Sequence, residues 1–216
     1  MKKYLYLVAI ALVSCGAVLS SCSDDKISGD SIFSTKAVER NAFDQWLYKN
    51  YTMPYNIDFQ YRLKTEETEQ AYNFVPADSA KTVKLAILTK YMWFDAYAET
   101  VGLDFIKENA PRIILVTGTP GYTRYRTEVI GSAEGGYKVR LGKVNALTDD
   151  QLKDYGSMNN YYFHTMHHEF MHILNQKKPY DESYDNISRS DYVSGNWTSI
   201  PDKKAQSMGF VSAYSM

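Results

Sequence analysis

Apolar positions change their rhythm along the chain in a way that separates helices from strands. Val38, Phe43, Trp46 and Leu47 recur at roughly helical spacing within Ala37 to Tyr51, which predicts a helix closed by Pro54. Tyr55 to Leu63 then alternates apolar and polar side chains, the period of a half-buried strand. Beyond the acidic stretch at Glu66, Glu67 and Glu69, the residues Val83, Ile87, Tyr91, Phe94, Ala98 and Val101 return every three or four positions and predict a long amphipathic helix. Arg112 to Thr117 is a compact β-branched run bounded by Gly118 and Pro120, the mark of a central strand. Arg124 to Ile130 and Tyr137 to Leu141 flank a loop containing Gly131, Gly135 and Gly136, which reads as a hairpin with a longer turn.

A last long helix is expected from an N-cap at Ser157 to about Gln176, where Lys177, Lys178 and Pro179 supply favourable charge and a stop. Its apolar stripe is Phe163, Met166, Phe170, Ile173 and Leu174. Inside the helix sits His168-Glu169-Phe170-Met171-His172, whose two histidines fall on the side opposite that stripe. At about 100° per residue the two histidines fall about 40° apart on successive turns, so both imidazoles can reach one ion. Zinc suits this pair, because imidazole nitrogen is a good ligand and the ion keeps a position open for water. Glu169, next to the first ligand, is placed to move the proton of the attacking water, as a general base.

A five-residue match can arise by chance on a surface helix; here the cap, the apolar face and a secreted context agree with it. His164, one turn earlier, can be a solvent-facing residue, a neighbour supporting the ligands or an alternative ligand. His167 points towards the apolar stripe and is expected to be packed and hydrogen-bonded. A third protein ligand is not evident. The metzincin continuation would need glycine at Asn175 and histidine at Lys178. Downstream of His172 the only glutamate is Glu182, in a turn-rich loop, and Asp185, Asp191 and Asp202 read as loop or cap residues.

The N-terminus adds a location. Met1-Lys2-Lys3, an apolar run from Tyr4 to Val13 and small residues up to Cys22 form a secretory signal over residues 1–21. The run is shorter than the ~20 residues that span a bilayer. Leu19-Ser20-Ser21-Cys22 has the form of a lipobox, with lipidation at Cys22; Leu12-Val13-Ser14-Cys15 fits the same pattern but would leave a very short apolar region. Residues 22–35 then read as an acylated end and flexible tether, and Ser23-Asp24-Asp25 either as an export signal to the outer face of the outer membrane or as the solvated start of that tether. Loss of Cys15 with the signal leaves no thiol for a disulfide. Residues 36–216 suffice for one domain with a core. A formal charge of −1 with the signs interspersed argues against a nucleic-acid partner. The 19 tyrosines supply flat apolar area with polar tips, suited to wet binding surfaces as well as to cores.

The lipobox at Cys22, Tyr55-Asn56-Ile57, the His168 to His172 motif, Lys178-Pro179-Tyr180, Asn186-Ile187-Ser188, Asn196-Trp197 and Gly209-Phe210-Val211-Ser212 together resemble a family of zinc-binding metallopeptidases. They are also described as substrate-import-associated zinc metallohydrolase lipoproteins. The resemblance implies a zincin-like α+β single domain, with a small mixed or antiparallel sheet packed on the long helix and the motif helix. It also implies work beside an outer-membrane importer complex in nutrient processing, on a peptide or protein substrate. It further implies an acidic helix beyond Met216 that carries the third ligand, so the chain is expected to be truncated at its C-terminus. One of the Arg124 to Leu141 hairpin strands is the expected platform for an extended substrate, and Tyr180, Tyr184 or Tyr192 are candidates to stabilise an oxyanion. The alternatives are a catalytically silent surface lipoprotein that binds glycan or peptide, and a metallohydrolase acting on a non-peptide amide.

Overall fold

Asn41 starts the first helix by accepting from the Asp44 amide at 2.8 Å, while the Asp44 carboxylate accepts from the Asn41 amide at 3.2 Å. The computed structural model describes residues 39–216 apart from Tyr125; the signal segment, Cys22 and the tether lie outside the described residues. Helix α1 spans 42–55, as Ala42–Leu47, a π-helical turn Tyr48–Thr52 and Met53–Tyr55. Pro54 therefore sits inside the helix rather than closing it. A π turn widens the backbone and relieves the clash between a proline ring and the carbonyl four residues earlier. The helix stops instead at Asn56, whose φ of 56° is left-handed.

Strand β1 is Asp58–Gln60, shorter than the alternation suggests. The period itself is correct, because Tyr55, Ile57, Phe59 and Tyr61 are all buried. The neighbouring strand β2, Ile113–Val116, pairs with only three of its residues. Strands β3 (Gly121–Tyr122) and β4 (Glu128–Val129) pair antiparallel as a separate small ribbon. Strand β5 (Gly131–Glu134) pairs antiparallel with β6 (Lys138–Leu141), and β6 pairs parallel with β2. The main sheet has the order β1-β2-β6-β5, mixed, with β5 at an edge. The expected hairpin exists, but its first strand begins where Ile130 was to end. Its turn lies at Gly135 and Gly136, which take φ of 57° and 71°, values that cost a residue with a Cβ far more than glycine.

Helix α2 spans 79–101, as Ser79–Thr89, a π-helical turn Lys90–Asp95 and Ala96–Val101. Its inward face differs from the expected one. Thr82, Leu85, Ala86, Thr89, Trp93 and Phe94 are buried, whereas Ile87, Tyr91 and Val101 are exposed. Two interleaved stripes compete on this helix, and the buried one contains threonines that polarity alone counts as solvent-facing. Thr82 satisfies its hydroxyl within the helix, donating to the Asp78 carbonyl at 2.7 Å, so that it packs as a small apolar residue. Helices α3 (Leu103–Asn109) and α4 (Asp149–Lys153) follow.

Helix α5 spans 155–177, as Tyr155–Met158, a π-helical turn Asn159–Phe163 and His164–Lys177. Its N-cap is Asp154, which accepts from the Ser157 amide at 2.8 Å; the expected cap, Ser157, lies one turn inside. Phe163, Met166, Phe170 and Ile173 are buried as the stripe requires. Phe170 is the point where three helices meet, with ring centroids 5.6 Å from Trp93, 5.1 Å from Tyr97 and 6.2 Å from Phe105. The remainder of the chain is a series of 3₁₀ turns and the short helix α6, Asp202–Ser207. Ala205, Ala213 and Met216 form a second, small apolar cluster there, against Val193, Trp197, Ile200 and Phe210. Among the described residues no helix is long and apolar enough to cross a membrane.

Candidate metal centre

The central stretch of α5 has its apolar face fixed against α2 and α3, and that leaves His164, His168 and His172 along the opposite side. His168 is half-buried and His172 exposed. Their Nε2 atoms lie 3.0 Å apart, close enough to share one proton or one ion. Zinc keeps about 2.0–2.1 Å from an imidazole nitrogen, so the pair fits zinc as two of its donors. Burial, with His172 and His164 close by, lowers the pKa of His168 and favours the neutral ring that a metal needs.

Glu169 is 8 % exposed and lies against the first residue of β5. A Cβ on Gly131 would come within 2.4 Å of the Thr165 methyl group and 3.0 Å of Glu169 Oε1, so only glycine allows the edge strand to pass this close to the helix. Burial pushes the Glu169 carboxyl from 4.5 up to about 7; the Arg140 cation pulls it down and Glu69 pushes it up. A carboxylate poised near neutrality is what general-base work requires.

Arg140, on β6, has a fully buried side chain and supports this wall from behind. Its Nε donates to both Glu69 oxygens at 3.0 Å, and its Nη1 donates to the Ile130 carbonyl at 3.4 Å. Ser132 donates to Glu69 Oε1 at 2.5 Å. Burial raises the Glu69 pKa, but the Ser132 hydroxyl and the Arg140 guanidinium outweigh it and hold the carboxyl below its usual range.

His168, Glu169 and Gly131 border an open cleft of about 750 Å³, and His172 lies outside its lining. Its floor is His164, Thr165, His168 and Glu169; one wall comes from Thr123, Thr127, β4, Ile130 and the start of β5, the other from residues 195–198 and Tyr214. His164 is exposed on that floor, its ring 6.1 Å from that of His168. His167 is packed as expected, 3.3 Å from the Tyr97 hydroxyl through Nδ1.

The acidic residues considered as third ligands do not join the pair. Glu182 is exposed in a 3₁₀ turn, Asp185 accepts from the Tyr180 hydroxyl at 3.3 Å, and Asp202 accepts from the Ala213 amide at 2.9 Å. Among the described residues no group of three or more His, Cys, Asp or Glu side chains is arranged to hold a metal. The tyrosines also fall elsewhere: Tyr180, Tyr184 and Tyr192 do not border the cleft, and among the described residues the tyrosine that does is Tyr214, its ring 5.9 Å from that of His168. Sequence reasoning missed Tyr214, Trp197 and Arg140. Asn196-Trp197 was visible as a pair of residues typical of the family, but nothing in the spacing placed it beside a helix 25 positions earlier.

A mixed α+β fold whose one helix carries a close histidine pair and a buried glutamate, with His168 and Glu169 on the floor of an open cleft, is metallopeptidase-like. The chain belongs to the family described as putative zinc-binding metallo-peptidase, whose profile matches residues 36–216. The structure is similar to the crystal structure of a putative zinc-binding metallo-peptidase from Bacteroides caccae, with a TM-score of 0.62 and 42% sequence identity; the match covers 85% of this chain and 69% of that one. Comparison with curated proteins finds no match.

Proposed function

We propose that the chain is a zinc-dependent metallohydrolase of zincin-like fold, most specifically a metallopeptidase, with His168 and His172 as metal ligands and Glu169 as general base. The observation that carries this reading is the convergence of two Nε2 atoms 3.0 Å apart on the helix that also holds the buried Glu169 carboxyl. Zinc held there would polarise a scissile carbonyl and make water a better nucleophile. Glu169 takes the proton from the attacking water and returns it to the leaving amine, and its raised pKa suits both transfers. The free edge of β5 beside Gly131 can pair with an extended peptide and hold its backbone against the helix. Arg140 fixes that edge by binding the Ile130 carbonyl.

The proposal includes a place of work. The lipobox at Cys22 and the acidic Ser23-Asp24-Asp25 support a lipid-anchored protein on the outer membrane, facing the exterior, beside an importer complex whose nutrients it processes. The second reading, a catalytically silent lipoprotein that binds glycan or peptide, has one observation in its favour: the described residues assemble two ligands rather than three. Digestion of a peptide library separates the two. Cleavage by the wild type that disappears in Glu169→Gln, with zinc content unchanged, supports the peptidase. A zinc-loaded wild type that cleaves nothing supports the silent binder.

A further inference from the structure

The cleft has one wall that the proposed chemistry leaves unused. Trp197 and Tyr214 pack edge to face with ring centroids 5.0 Å apart, and Tyr214 in turn lies 5.9 Å from the His168 ring. The two rings thus stand on the cleft wall next to His168. Tyr214 is 61% exposed, so its ring is available to a ligand.

Their position is set by a folded support rather than by a loose loop. Trp197 packs on the cluster of Ala205, Ala213 and Met216. Two hydrogen bonds tie that cluster at both ends: the Val193 amide donates to the Met216 carbonyl at 2.6 Å, and the Ala213 amide to the Asp202 carboxylate at 2.9 Å. Ser212 and Ser215 close a capping box around the turn that carries Tyr214. Rings already held against each other lose less freedom on binding than separate ones, which favours selection over mere contact.

The facing wall indicates what would lie against the rings. It offers Thr123, Thr127, Val129 and Ile130, small hydroxyls and aliphatic groups, and one carboxylate, Glu128, which is already bound by Lys143. A charged side chain would give up water there and, among the described residues of the two walls, find no unpaired opposite charge. A flat or bulky apolar side chain would bury area against two rings. Main-chain pairing with the β5 edge favours a peptide over a sugar as the molecule that presents it.

We propose that Trp197 and Tyr214 form a specificity subsite that selects an aromatic or large aliphatic side chain of an extended peptide bound beside His168. The proposal rests on the peptide-cleft reading above. Its test uses binding, so that it does not depend on turnover.

The protein would be the full chain carrying Glu169→Gln, loaded with zinc. The probes would be fluorescein-labelled decapeptide pools with a Ser/Ala background and one varied residue type: Phe, Leu, Lys, Glu or Gly. Burying a large apolar side chain should make the Phe and Leu pools bind roughly tenfold or more tighter than the Lys, Glu and Gly pools. Adding Trp197→Ala should erase that preference while leaving the Gly pool and the zinc content unchanged. Trp197→Phe, which keeps a ring, should retain most of it, and guards against a loss caused by unfolding of the support. Equal affinity across pools, tightest binding of a charged pool, no binding by any pool, or an equal loss for every pool in Trp197→Ala would overturn the subsite. Selective binding by Glu169→Gln, with no cleavage by the wild type, would sink the peptidase reading and leave the subsite standing.

Discussion

The core around Phe170 and the segment from Val193 to Met216 hold their shape by different means. The first joins α2, α3, α5 and the sheet through large side chains with no exposure at all, among them Trp93, Phe94, Ile114 and Phe170. The second buries only Ala205, Ala213 and Met216, and relies on turn hydrogen bonds and on half-buried rings such as Phe210. The candidate site lies where the two meet: the histidines and Glu169 come from the core helix, and Trp197 and Tyr214 from the thin segment. The groups proposed for chemistry therefore stand on the rigid part, and those proposed for selection on the part that can change most cheaply.

That contrast can be broken most directly in the core. Phe170→Ala removes the ring on which three aromatic neighbours converge, and should lower stability by about 3–5 kcal/mol in urea unfolding. A loss below about 1 kcal/mol would show that this core is not what holds α5.

Glu169→Gln probes the seam, and its effect should reverse the usual sign. The folded protein holds the Glu169 proton more tightly than the unfolded chain does, since the pKa rises from 4.5 to about 7. The group's contribution to stability is therefore complete below pH 4.5 and is lost as pH rises through 7. In zinc-free protein the amide escapes that loss, so the variant should be more stable than wild type by roughly 2–3 kcal/mol at pH 8 and no different near pH 4. Equal stability at both pH values would mean that the carboxyl is better solvated than its burial indicates.

Gly131→Ala tests the approach of the edge strand to the helix. Its new methyl group would meet Thr165 and Glu169, at a cost of about 1–3 kcal/mol as seen in thermal unfolding. The smallest effect is expected from Phe210→Ala, roughly 1 kcal/mol or less in global stability. Hydrogen exchange should reveal it instead, as faster exchange over residues 193–216 with α5 unchanged. Acceleration spreading equally into α5 would show that the two regions unfold as one.

The same contrast explains what could be read from the sequence. The motif helix was legible because its metal spacing and its apolar stripe obey one period, and both agree with the buried Met166, Phe170 and Ile173. The central strand at Ile113–Val116 was legible as a bounded β-branched run. The inward face of α2 was not, because Thr82 and Thr89 are polar by composition and buried in fact. Pro54 misled because a π turn ahead of it removes the usual reason for a helix to stop. The start of β5 at Gly131 was hidden, since a glycine that reads as loop is there to let two backbones approach. The wall of Trp197 and Tyr214 had no period to reveal it; short 3₁₀ turns carry no repeating pattern, and their place beside His168 is set by tertiary packing.

The central claim is that His168 and His172 hold one zinc between them. Metal analysis of the purified chain after equilibration with zinc, run beside His168→Ala and His172→Ala and with Phe170→Leu as a packing control, tests it most directly. The account predicts one zinc per chain in the wild type and the control, and loss of that zinc in either histidine variant. Zinc that persists in both histidine variants, or a wild type that binds none, would contradict it.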